Sequence, residues 1–154
     1  MRRLAVVVAG GALFLSLSEC RAQDQAPRWF WGGDLMVRNA DLLSISGLGA
    51  IRLVGTTPRP TLAVAARLRA GIGGGNGGVG LLLFYDCPHV GGPCLALGAQ
   101  AVVLRTGPTS DWNQDTYFGG ELRLELVFIN VTLGLLGPAS GGPSRLQAGV
   151  GVGF

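Results

Sequence analysis

Apolar and polar side chains alternate with a period of two along most of this chain, the repeat of an extended strand with unlike faces. In the last eleven residues, Leu146, Ala148, Val150, Val152 and Phe154 share one parity, while Gln147, Gly149, Gly151 and Gly153 share the other. Another segment sets Leu62, Val64, Ala66, Leu68, Ala70 and Ile72 against Ala63, Ala65, Arg67, Arg69 and Gly71. A third sets Phe118, Gly120, Leu122, Leu124 and Leu126 against Gly119, Glu121, Arg123 and Glu125. At Val127-Phe128 the apolar parity flips, so that Ile129, Val131, Leu133 and Leu135 oppose Asn130, Thr132 and Gly134. A flip requires a bulge or a tight turn. One strand over 118–136 would be about twice the usual length, which favours the turn.

The remaining strands are predicted over 33–40, 45–54, 79–85 and 95–105. In the first, Asp34, Met36 and Arg38 oppose Leu35 and Val37; in the second, Ser46, Ala50 and Arg52 oppose Ile45, Ile51 and Leu53. The fourth in chain order, Val79 to Tyr85, is apolar on both parities and leaves its facing open. Pro58 and Pro60 end the second strand, since proline cannot donate to a central ladder. The run Gly73-Gly74-Gly75-Asn76-Gly77-Gly78 is expected to be a flexible hairpin loop. It lacks the G-K-[ST] of a phosphate-binding loop. The fold class expected is all-β, with eight antiparallel strands.

The first segment differs. Arg2 and Arg3 precede an apolar run from Leu4 to Leu17, and small residues follow at Cys20 and Ala22. That is the pattern of a cleaved signal peptide, too short for a spanning helix. The organisation expected is a signal over 1–22, a short lead-in over 23–31 and one barrel domain over 32–154. Leu17-Ser18-Glu19-Cys20 also offers a lipobox reading in which Cys20 is acylated, although Glu19 stands where that pattern has a small residue.

Composition narrows the environment. Charged residues make up 14% of the chain, with mean hydropathy +0.42, against about 25% charged in an ordinary soluble domain. Past the signal, no apolar run reaches the length of a spanning helix. Only helices and closed barrels satisfy their backbone groups in lipid, so the combination points to a transmembrane barrel. Without residues 1–22, nine arginines face eight acids. The basic balance therefore belongs mainly to the signal, and nucleic acid is not an expected partner.

Eight strands ending on an aromatic resemble the small bacterial outer-membrane barrels, the class of OmpX and the OmpA transmembrane domain. The resemblance implies an up-and-down barrel in the outer membrane, monomeric, in contact with outer-membrane lipid, and assembled by machinery that reads Phe154. It also implies a topology with turns near 56–60, 86–94 and 127–129 on the periplasmic side. That places Trp29, Trp31, Tyr85 and Phe128 on one aromatic girdle and Trp112 and Tyr117 on the other. A soluble secreted β-barrel or sandwich is the alternative, because alternation alone does not say which face is inside.

Candidate chemistry is sparse. Cys87 and Cys94 flank a short loop, read as a disulfide in an oxidising compartment; His89 between them leaves a metal site as the alternative. No G-x-S-x-G motif is present, no cofactor is implied, and an enzyme is not expected. An eight-stranded barrel is just wide enough for side chains to fill. Arg67, Arg69, Glu121, Arg123 and Glu125 are expected to form a charge network across the lumen, giving a polar plug. A structural or interaction role follows, with a small-solute channel or a lipid- or ligand-binding barrel as the alternative.

Overall fold

The computed structural model of the chain describes residues 29–54, 60–87 and 92–153. The proposed signal, Cys20, His89 and Phe154 fall outside them, as does the side chain of Cys87. Eight strands, β1 (Trp29–Arg38), β2 (Leu42–Val54), β3 (Thr61–Gly71), β4 (Gly74–Cys87), β5 (Gly92–Thr106), β6 (Thr116–Leu126), β7 (Ile129–Pro138) and β8 (Arg145–Gly153), follow one another in the chain. Each pairs antiparallel with its neighbours, and β8 returns to β1 to close an up-and-down barrel. Closure leaves no open strand edge.

Period-two alternation explains why this sheet has an inside. On β3, Ala63, Ala65, Arg67 and Arg69 are buried and the residues between them exposed. On β6, Tyr117, Glu121, Arg123 and Glu125 are buried against exposed Phe118, Leu122, Leu124 and Leu126. The outward positions of all eight strands carry the large apolar side chains, Leu68 being 74% exposed. A single register slip would exchange the two sets, so the alternation specifies the register.

The expected parity flip is a two-residue turn, Val127-Phe128, between β6 and β7. Val127 takes φ 57° there, a conformation costly for a β-branched residue. Gly153 N donates to Phe128 O at 2.8 Å and ties the turn to the end of β8.

Two expectations are corrected. The glycine-rich run is not a loop. Ile72 and Gly73 form the turn, and Gly74 to Gly80 belong to β4, paired with β3 on one side and β5 on the other. Asn76 lies opposite Arg69 and Gly78 opposite Arg67 on β3, so the side chain missing at Gly78 leaves room beside Arg67. Gly74 has φ 147°, and a Cβ there would sit 2.2 Å from Arg105 O; this position requires glycine. β4 also resolves its facing, with Leu82 and Phe84 inside and Val79, Leu81, Leu83 and Tyr85 outside.

The second correction concerns the start of the barrel. β1 begins at Trp29, and Trp29, Phe30 and Trp31 pair with Ile51, Ala50 and Gly49. These residues are part of the wall rather than of a lead-in. Phe30 turns inward while Trp29 and Trp31 face out.

Candidate functional site: the charged interior of the barrel

Inward parity brings acids and arginines from β1, β3 and β6 into one buried layer. Asp34, on β1, is its hub. Its carboxylate lies 2.7 Å from Arg123 Nη1, 3.6 Å from Arg67 Nη1 and 3.8 Å from Arg69 Nη2. Glu121 accepts from Arg38 Nη2 at 2.9 Å and from Gln100 Nε2 at 2.8 Å, with Arg69 Nη1 at 3.9 Å. Glu125 accepts from Arg67 Nη2 at 3.4 Å and from Arg123 Nε. Met36 fills the gap between guanidiniums, its sulfur 3.2 Å from Arg69 Nη2. With its carboxamide oxygen turned towards Arg38, Asn76 accepts from Nη1 at 2.7 Å.

The five residues singled out from sequence thus lie together, joined across the lumen by Arg67–Glu125 and Arg69–Glu121. Asp34 and Arg38 complete the layer. Their parity marked them as inward, but parity gives a face and not a height along the barrel. Asp41, in the β1–β2 turn, was missed altogether; its carboxylate lies 3.5 Å from Arg38 Nε. Burial, opposed by a backbone hydrogen bond and aided by the nearby Glu121 and Asp34, pushes the Asp41 carboxyl up to about 7.

Room for this layer comes from the last strand. Gly149, Gly151 and Gly153 lie opposite Arg38, Met36 and Asp34 on β1. A Cβ on Gly149 would stand 2.3 Å from Arg38 Cγ, and one on Gly151 2.4 Å from both Met36 Cγ and Leu35 O. The small-residue face of β8 is therefore the complement of the long side chains on β1.

Apolar clusters flank the charged layer towards both ends. Towards the end that carries the chain termini, Leu48, Ala50, Ala63, Ala65, Leu82, Phe84 and Ala96 pack together. Phe30 meets Phe84 edge-on at 5.0 Å, and Arg52 lies over the Phe84 ring at 5.4 Å. Towards the opposite end, Ala40, Val102, Leu104, Trp112, Tyr117 and Leu136 form the second cluster. The interior is therefore layered, where a lumen filled by polar side chains was expected.

Trp112 and Tyr117 accordingly leave the outward girdle to which they were assigned. Trp112 is 7% exposed and Tyr117 1%; their rings meet edge-on at 4.9 Å, with Arg145 over Trp112. Tyr117 shares the inner parity of Glu121, a signal that places it inside. Trp112 is carried in by the β5–β6 loop, which folds over the barrel mouth. Ser110 Oγ donates to Ala40 O, Thr109 Oγ1 to Ile72 O, and Gly107 N to Gly73 O at 2.7 Å. Asp115 accepts from Ser140 Oγ and, at 3.3 Å, from Ser140 N. These bonds, with the Thr116 amide, hold the Asp115 carboxyl below its ordinary value. Trp29, Trp31, Tyr85 and Phe128 are exposed on the outer wall.

Among the described residues, no group of three or more His, Cys, Asp or Glu is arranged to hold a metal ion. No family model matches the chain, and no curated protein or solved structure matches it.

Proposed function

We propose that this chain is an integral outer-membrane barrel with a structural or interaction role and a sealed interior, and that it carries out no catalysis. The observation that carries the reading is the outer wall. Around a closed eight-stranded barrel, every strand presents outward Val, Ile, Leu or aromatic side chains. An apolar surface encircling the whole molecule far exceeds the few hundred Å² expected on a soluble monomer, and a bilayer is the solvent that accepts it. Trp29, Trp31, Tyr85 and Phe128 lie at strand ends on that wall, where amphipathic rings favour the membrane interface.

The same reading includes the cleaved signal, the OmpX- and OmpA-like class, a monomeric state, lipid contact and recognition of Phe154 by the assembly machinery. It includes a Cys87–Cys94 bridge, supported by the ladder between β4 and β5, which pairs Cys87 with Gly92, two residues before Cys94. The paired arginines and the capping loop favour a plug over a channel.

Envelope fractionation tests the location: the protein is expected with the outer membrane, migrating faster on gels before heating than after. Deleting Phe154 is expected to impair assembly without blocking translocation. Recovery in the soluble periplasmic fraction would refute the membrane reading. Steady conductance in planar bilayers would replace the plug by a channel.

A further inference from the structure

Across β5 to β8 the outer wall carries a groove of about 600 Å³, lined by the small Ala99, Ala101 and Gly120 and by Leu133, Leu135 and Leu146. We propose that this groove seats an acyl chain of one anionic, phosphate-bearing membrane lipid, whose headgroup is held by the Arg105 guanidinium at the mouth end of the barrel. The inference rests on the membrane reading above and goes beyond it, replacing general lipid contact with one site and one class of lipid.

Three observations carry it. First, the groove suits a chain of methylenes. The ladders set Ala101 beside Gly120, Gly120 beside Leu135, and Leu135 beside Leu146, so small residues on β5 and β6 adjoin large ones on β7 and β8. A Cβ on Gly120 would meet nothing closer than Gln100 O at 3.9 Å, and no side chain fills the hollow. Gln100 and Glu121 also border it, but they turn their polar ends inward and bond each other at 2.8 Å. The volume falls in the range of about 300–1,000 Å³ in which small ligands bind.

Second, one charge overlooks this face. Among the described residues, Arg105 is the one charged side chain on the outward parity of the eight strands. Its neighbours Leu104 and Thr106 are buried, whereas Arg105 is exposed. It stands four residues beyond Ala101 on β5, about 13 Å along the strand, with the outward Val103 and Phe118 between. A cation at the end of a lipid-facing strand extends to the headgroup level, where anionic lipid attracts it.

Third, Arg105 has donors to offer. Its Nη1 donates to Thr116 Oγ1 at 3.0 Å, and a guanidinium carries five N–H donors in a fork that matches phosphate. The adjacent carboxylate, Asp115, is engaged by Ser140 and by the Thr116 amide. Charge also decides between occupants. A second copy of the chain would bring to this face a wall whose one outward charge, among the described residues, is another Arg105; an anionic lipid brings the complement.

The test reconstitutes the full-length barrel in vesicles of phosphatidylglycerol and phosphatidylcholine in equal amounts, with identical acyl chains. Protein recovered by flotation is extracted in mild detergent and weighed by native mass spectrometry. The wild type is expected to retain one phosphatidylglycerol, severalfold in preference to phosphatidylcholine. Arg105→Gln should bring the two lipids to about equal retention, and Ala101→Leu, which fills the groove, should lower retention of both severalfold. Ala66→Leu, on the outward face of β3, should change neither, and all three variants should keep the heat-modifiable gel shift of a closed barrel. A floated wild type that retains no lipid, a preference that survives Arg105→Gln, or retention undiminished in Ala101→Leu would overturn the site and leave the membrane reading standing. Failure of the wild type to float would refute the membrane reading, and the site with it.

Discussion

The inner and outer walls of this barrel are built from the same strands, yet they answer to different rules. Leu124 is 40% exposed and touches the surroundings, whereas its neighbour Glu125 is 2% exposed and touches Arg67 and Arg123. On the outer wall a residue is judged by the solvent, so any large apolar side chain serves, and the positions are interchangeable. On the inner wall it is judged by named partners at named distances. The lesson concerns substitution: an outer change should register only through the polarity it presents, and an inner change through the group it leaves unpaired.

The largest effect is expected at the hub. Asp34→Ala removes the carboxylate shared by Arg67, Arg69 and Arg123, and breaking a buried ion pair from one side costs about 3–5 kcal/mol. Urea unfolding of the lipid-reconstituted barrel should report a loss of that order. A change below about 0.5 kcal/mol would mean that the guanidiniums are well solvated and that the inner wall does not depend on its partners.

Leu124→Arg comes next and puts the outer wall to the same question. In a bilayer the substitution should oppose insertion by about 2–4 kcal/mol if the site lies near the midplane. On a soluble protein an exposed position tolerates it within about 0.5 kcal/mol. The folded fraction in lipid against that of Leu124→Ala reads the difference.

A smaller effect is expected where the loop meets the interior. Tyr117→Leu keeps an apolar side chain inside but removes the edge-on contact with Trp112, worth about 0.5–1.5 kcal/mol beyond the area buried. Protease cleavage within 107–115 should rise while the barrel itself stays resistant. Unchanged cleavage would show that the backbone contacts to Ala40, Ile72 and Gly73 hold the loop without the aromatic pair.

The smallest is a pH effect at the mouth. Because the Asp115 carboxyl is held below its ordinary value of 3.8, its ionised form is favoured by folding. Its contribution is therefore present above about 3.8 and fades as pH falls through the lower folded value. Amide exchange at Ser140 should accelerate on that acid side, and Asp115→Asn should remove the dependence.

How much of this was legible in the sequence follows from the same contrast. Parity alone places Arg67 and Arg69 opposite the outer face of β3, and Glu121, Arg123 and Glu125 opposite that of β6, because each of these stretches alternates without interruption. Parity fails where it has nothing to alternate. Gly74 to Gly78 read as a loop since glycine shows no face, and their place in β4 is set by ladders on both sides and by the bulk of Arg67 and Arg69 across the seam. Trp112 lies in a loop, where period two does not apply, and only tertiary contact draws it over the mouth. Asp34 shows the third limit. Its face was legible, but which guanidiniums it meets depends on the stagger of strands around the barrel.

The central claim is that the outer wall faces lipid and the inner wall does not, and the three tryptophans of the chain test it directly. Trp29 and Trp31 are 65% and 50% exposed on the outer wall, and Trp112 is inside. Two variants, Trp112→Phe and the double Trp29→Phe/Trp31→Phe, should be reconstituted in vesicles with brominated and with ordinary acyl chains, and their tryptophan emission compared. Strong quenching of the first by brominated lipid, with little change in the second, is the predicted result. Emission from Trp29 and Trp31 that is the same in both lipids would place the outer wall outside the bilayer and contradict the account.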